Sequence, residues 1–271
     1  VLKTQAKGDL EGFVRRHGIR ELVLSDGAAG WLGCGKETLP CPFNLYLKRL
    51  GLNTAPCCRE HMKDLCYYVA SCLRDMGVVH WLDGGSLLGA VREGGKLLAW
   101  EDDIDISVLL DGDTTWESLV TAIAERGAQD GYFIDVFKEK GYITISYDPP
   151  RSWPFHWERN RMRGEIRLDL VAFRHAVSHG RPVLERRSPK GAMPLTESSS
   201  YGVPREIVLP TSTIDFLGGN VACPNKPETY LRVLYGDFKE VEYTFVNAAA
   251  AETRRQADVA SKAHMQVPLE G

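Results

Sequence analysis

No run of eighteen apolar residues occurs in the 271 positions, so this segment holds no candidate transmembrane helix and no membrane contact is expected of it. An excess of one charge is also missing. Lys and Arg number 33 against 36 Asp and Glu, for a net charge of −3. With no Lys/Arg stripe interleaved with aromatics, a nucleic-acid partner is excluded. Low-complexity stretches and internal repeats are absent, which removes solenoid and linker readings. The seven cysteines contain no CxxC pair. Nor does Val1-Leu2-Lys3-Thr4 supply an initiator Met or a signal peptide, so the chain is expected to be a processed or truncated piece. What is present is a chain with 44% hydrophobic residues, enough for a substantial core in a single catalytic domain over 1–271.

The most informative stretch is Trp81-Leu82-Asp83-Gly84-Gly85-Ser86-Leu87-Leu88-Gly89-Ala90-Val91-Arg92, followed by Trp100-Glu101-Asp102-Asp103-Ile104-Asp105. Alternation places Asp103 and Asp105 on one face of a strand, about 6.5 Å apart, with Ile104, Ile106 and Val108 on the other. Two carboxylates so placed repel unless a cation joins them, and Mg²⁺ or Mn²⁺ is the usual solution when a phosphorylated substrate adds oxygens. Gly84 and Gly85 lack a Cβ, so their N–H groups can approach phosphate, and Ser86 adds a hydroxyl. Arg92 is a candidate phosphate contact or a structural ion pair. A further carboxylate, Asp169, interrupts the apolar run Glu165-Ile166-Arg167-Leu168-Asp169-Leu170-Val171-Ala172-Phe173. It is either paired with Arg167 or Arg163 or given metal or base duty. The basic cluster Arg159, Arg161, Arg163 and Arg167 is a local phosphate site or a solvated loop.

Periodicity orders the rest. Met62, Leu65, Cys66, Val69, Leu73 and Met76 mark a helix stopped by Gly77, and Val78 to Leu82 read as a strand delivering the glycine turn. Thr114 and Glu117 are spaced as a capping box for a helix with Leu119, Val120 and Ile123 inward. Tyr132–Phe137 and Tyr142–Tyr147 flank a hairpin turn, Ser188 to Thr213 reads as a connection with short strands, and Pro227 opens a last helix ended by Gly236. Cys34, Cys41, Cys57 and Cys58 lie in a Gly/Pro-rich loop that suits a tetrahedral structural Zn²⁺ site, with disulfides as the rival on spacing alone.

The glycine turn and acidic strand resemble the signature of the LicD/fukutin family, and Pro227-Glu228-Thr229-Tyr230-Leu231 with Tyr235-Gly236-Asp237-Phe238 resembles its C-terminal segment. Family members usually carry His, Pro and Asp where this chain has Glu93, Ala99 and Glu101. The resemblance implies an α+β fold of the nucleotidyltransferase (DNA polymerase beta-like) type, with a mixed sheet, flanking helices and a zinc-binding loop insertion. The loop would occupy 30–58, the LicD-like core 59–240 and a C-terminal extension 241–271. It implies a metal-dependent transferase moving ribitol 5-phosphate from CDP-ribitol to a glycan hydroxyl. Asp103, Asp105 and Asp169 would hold Mg²⁺, and Gly84, Gly85, Ser86 and Arg92 the donor phosphates. Fukutin-related members also have a zinc loop ending in a similar Cys-Cys, which favours zinc at Cys34, Cys41, Cys57 and Cys58. The same likeness implies a glycoprotein acceptor and the Golgi lumen, with anchor and stem outside this segment; oligomeric state stays open. Alternatives are transfer of phosphocholine or another CDP-alcohol, a nucleotidyltransferase acting on a small acceptor, and a non-catalytic zinc-stabilised glycan-binding domain.

Overall fold

The computed structural model describes residues 21–22, 31–32, 54, 56–98, 101–112, 114–137, 142–147, 166–188, 191–192 and 202–239. Strands β1 (Glu21–Leu22) and β2 (Trp31–Leu32) form a small antiparallel pair. Helix α1 (Pro56–Asp75) buries the stripe Met62, Leu65, Cys66, Val69 and Leu73. Burial pushes the Cys66 thiol up to about 12, as suits a packing residue. Met76, expected within that stripe, is 36% exposed because the helix has already ended at Asp75 and Gly77 turns the chain at φ +68°.

Strand β3 (His80–Leu82) leads directly into α2 (Gly84–Arg92), and β4 (Asp103–Leu110) follows. The next helix, α3 (Trp116–Asp130), has a capping box one residue later than Thr114 and Glu117 suggest. Thr115 accepts from the Ser118 N–H at 3.1 Å, and the Ser118 hydroxyl accepts from the Thr115 N–H at 3.1 Å. A Ser at the third position replaces the expected acid, in an arrangement that stabilises a helix end by about 1 kcal/mol. Gly131 closes α3 in the left-handed region.

Strands β5 (Tyr132–Phe137) and β6 (Tyr142–Tyr147) form the expected hairpin in the register Tyr132 opposite Tyr147. β7 (Arg167–Ser178) is the organising strand. It pairs in parallel with β4 along one edge. Its other edge is shared: β6 pairs antiparallel with the first half and β8 (Arg181–Ser188) with the second. β9 (Gly191–Ala192) and β10 (Val203–Pro204) flank β8, giving a mixed sheet of eight strands among the described residues. Then come the single turn α4 (Arg205–Val208), the hairpin β11 (Ser212–Phe216) with β12 (Gly219–Cys223), and α5 (Pro227–Tyr235), stopped at Gly236 as expected.

Alternation divides the sheet chemically. Ile104, Ile106, Val108, Leu168, Leu170 and Ala172 are fully buried, and α1 packs on the sheet at β4, β6 and β7. The opposite face carries Asp103, Asp105 and Ser107 on β4 beside Asp169, Val171 and Phe173 on β7, and α2 and α5 pack together there. No helix of the described residues is long and apolar enough to cross a membrane.

Candidate active site

The parallel register between β4 and β7 sets Asp103 opposite Arg167 and Asp105 opposite Asp169. Three carboxylates from two strands are thereby gathered, and each of Asp103, Asp105 and Asp169 offers an oxygen within 4.8 Å of the others. Glu101 and Asp102 extend the cluster at Asp103. Burial first, then the neighbouring Asp103, Asp83 and Asp169, push the Asp105 carboxyl well above the ordinary carboxylate range. Glu101 rises well above it for the same reasons, burial leading and Asp103 next. Burial also raises Asp169, against the pull of the Thr144 hydroxyl, 2.7 Å from its Oδ1, and of Arg167.

Arg167 is the internal counter-charge. Its guanidinium donates to Asp103 Oδ2 at 2.5 Å and lies 3.7 Å from Asp169 Oδ2. Burial works against its charge, but Asp103 and Asp169 outweigh it and raise the pKa. The pairing of Asp169 with Arg167 and its membership of the acidic cluster are therefore both real. Three carboxylates against one guanidinium leave an excess of acid in the triad, which a divalent ion would offset.

The glycine turn is the first turn of α2, and it is aimed at this cluster. Gly85 N–H donates to Asp105 Oδ2 at 3.0 Å, where the positive end of the helix dipole favours negative charge. A Cβ on Gly84, which also sits at φ +50°, would collide with the Asp105 carboxylate, and one on Gly85 with that of Glu101. The two glycines thus exist for close approach, with carboxylates as the observed neighbours. Ser86 is fully buried, and its Oγ accepts the Asp105 N–H at 3.0 Å, locking α2 to β4. Arg92 ends the same helix, about 12 Å along the axis from Gly84 at 1.5 Å per residue. It lies 3.2 Å from Glu93 and 3.5 Å from the Phe238 carbonyl, contacts that tie the end of α2 to the C-terminal segment.

Four groups at the site escape the sequence patterns. Asp83 caps α2: its Oδ1 accepts from Gly84 N–H at 2.7 Å and from the Tyr230 hydroxyl at 2.9 Å, and its Oδ2 accepts from the Ser107 hydroxyl. Tyr230, fully buried on α5, in turn accepts from Trp81 Nε1 at 3.4 Å. Burial, then Asp83, push its phenol well up, so it stays a donor. Tyr235 and Arg186 line the pocket beyond Asp105. The signals were slight: Asp83 stands inside the glycine motif and both tyrosines inside the C-terminal one, while Arg186 has no motif at all.

Cys57 and Cys58 are buried at the head of α1 with their sulfurs 4.0 Å apart; Cys34 and Cys41 lie outside the described residues, as do Arg159, Arg161 and Arg163 and the extension from 241.

Residues 77–226 match the family described as LicD/FKTN/FKRP, nucleotidyltransferase domain. Over 246 residues the chain is 28% identical to ribitol 5-phosphate transferase FKRP of Homo sapiens, covering 85% of this chain and 44% of that protein. The Mus musculus protein of the same name matches with the same identity and coverage, 28% over 246 residues. The chain thus spans less than half the length, 44%, of these curated relatives. Among solved structures, the lincomycin-bound lincosamide antibiotic adenylyltransferase LnuA is similar at a TM-score of 0.41 and 17% identity, over 70% of this chain and 96% of that one.

Proposed function

Since the chain belongs to the LicD/FKTN/FKRP nucleotidyltransferase-domain family, we propose that it transfers ribitol 5-phosphate from CDP-ribitol to a hydroxyl of a glycan. The observation that carries the reading is the triad Asp103, Asp105 and Asp169, gathered at the N-terminus of α2. The ribitol 5-phosphate transferase activity for which the FKRP relatives are named supports the choice of donor group.

All-oxygen ligands with more carboxylates than cations fit a hard divalent ion, and Arg167 already stands as a cation against two of the three carboxylates. Asp103, Asp105 and Asp169 would hold Mg²⁺ or Mn²⁺. When bound, the ion supplies charge neutralisation for the donor diphosphate and the departing CMP. The residues of the chain do the remaining work. Gly84 and Gly85 let the Asp105 and Glu101 carboxylates close on the helix N-terminus, and Ser86 keeps α2 and β4 in fixed relation. The acceptor oxygen bonds to the ribitol-bearing phosphorus as the bond from that phosphorus to the CMP oxygen breaks. Asp169 stands where it can complete the ion's oxygen set or take the acceptor's proton, and Asp169→Asn separates the two. Loss of metal-dependent donor binding assigns it as a ligand; normal binding with failed transfer assigns it as the base.

The deciding experiment supplies CDP-ribitol, CDP-glycerol and CDP-choline with Mg²⁺ and an acceptor glycan. Release of CMP with CDP-ribitol is expected. Turnover of CDP-choline alone would replace the reading with phosphocholine transfer. Release of pyrophosphate from a nucleoside triphosphate would make the chain a nucleotidyltransferase. We also read Cys57 and Cys58, with Cys34 and Cys41, as a structural zinc set; buried neighbouring thiols support half of it. Elemental analysis finding no zinc would end that part of the proposal.

A further inference from the structure

The catalytic face of the sheet does not stop at Asp105. It continues into a pocket of ≈ 140 Å³ walled by Asp83, Ser107, Phe173, Leu234, Tyr235 and Arg186, among others. Register explains how Arg186 arrives there. It lies opposite Phe173 on β7, which lies opposite Leu109 on β4, so Arg186 shares the face of Asp105 and Ser107 from two strands away. Its Nε is buried and makes no hydrogen bond among the described residues. Both oxygens of Asp83, by contrast, are already taken by Gly84, Tyr230 and Ser107. With Asp83 so engaged, Arg186 is the cationic donor on the pocket wall, and an occupant that offers it an acceptor suits the pocket.

We propose that this pocket holds the hydroxyl-bearing alcohol of the donor and that Arg186 reads its oxygens, so that the site selects a polyol over a quaternary ammonium group. The inference rests on the donor reading above and goes beyond it by naming what discriminates among CDP-alcohols. Position is the first argument: Gly84 and Asp105 belong to both the pocket and the phosphate-facing site, so the occupant is attached next to the phosphorus. Size is the second. A cavity of about 150 Å³ accepts a molecule of benzene's bulk, which suits the carbons of a short polyol and is too small for a whole nucleoside. Chemistry is the third. The Arg186 guanidinium and the Tyr235 phenol offer donors to several oxygens, and the Phe173 and Leu234 side chains cover the CH surface. A trimethylammonium group carries no hydrogen-bonding atom and could answer neither Arg186 nor the Tyr235 hydroxyl.

The test measures direct binding, without acceptor and with Mg²⁺, of CDP-ribitol, CDP-choline and CDP to the 271-residue chain and to Arg186→Met. The wild type should bind CDP-ribitol more tightly than either competitor. Arg186→Met should weaken CDP-ribitol binding by about tenfold to a hundredfold, the worth of one charged hydrogen bond, and leave CDP binding unchanged. Unchanged CDP binding also certifies the fold. Should Arg186→Met not fold, Tyr235→Phe decides, with CDP-ribitol weakened several-fold and CDP unaffected. Equal weakening of CDP-ribitol and CDP would assign Arg186 to the diphosphate and overturn the inference. So would a wild type that binds CDP-choline as well as CDP-ribitol, or variants that bind every donor normally. A wild type that binds none of the three overturns the donor reading itself, and the inference with it.

Discussion

At Asp105 two demands conflict. Burial and three neighbouring carboxylates oppose its charge, while the Gly85 N–H and the end of α2 support it. Without a bound cation the opposition wins, which is why its carboxyl titrates well above the ordinary range. Asp105→Asn keeps an oxygen for Gly85 and removes the charge. Transfer should fall by at least about a hundredfold, the scale of losing one group that stabilises transition-state charge. The metal-free protein should nonetheless melt higher, by about 2–4 °C for each kcal/mol of relieved repulsion. A scanning calorimetry trace in which the variant melts lower without metal would contradict the electrostatic account.

Among the elements, α2 shows how a glycine pair and an acidic strand are one device. Gly85→Ala puts a methyl group into the Glu101 carboxylate and should cost about 1–3 kcal/mol, as overpacking does. Combined with Glu101→Ala, which vacates that space, the loss should be partly recovered. Strictly additive losses in a double-mutant cycle would show that the clash is not the cause. Much of this element map was legible beforehand, because hairpin ends, helix stops and the face of Asp103 and Asp105 follow from local alternation and glycine placement. Asp169 was legible too, as an acid with no reason to interrupt an apolar run. Arg92 was legible as either a phosphate contact or a structural ion pair, and the structure shows it paired with Glu93. Asp83 and Arg186 were silent for a different reason. The partner of Asp83, Tyr230, is 147 positions away, and Arg186 reaches the site only through two strand registers.

For the whole molecule, the acidic cluster ties stability to pH. Glu101, Asp105 and Asp169 all have carboxyls raised by burial, so the folded state prefers them protonated. The stability this preference gives is complete below the ordinary carboxylate pKa of about 4 and is lost as pH rises through the folded values. The metal-free chain should therefore lose stability on that rise, and Asp105→Asn should show a shallower slope. Divalent ions bind the ionised set, so the increase in Tm on adding Mg²⁺ should be larger at pH 8 than at pH 5. An equal increase at both would remove the cluster as the binding site. The parallel pairing of β4 with β7 bears on a different matter, the tolerance of the design to change. Between Leu110 and Arg167 the chain supplies α3 and the β5–β6 hairpin, and β6 joins the sheet beside β7, yet Asp103 and Asp105 are aligned with Asp169 by the β4–β7 ladder itself. Changes within α3 leave that ladder as it is, whereas changes in β6 reach Asp169 through Thr144. One acid cluster can thus keep its alignment while segments that pair with neither β4 nor β7 vary.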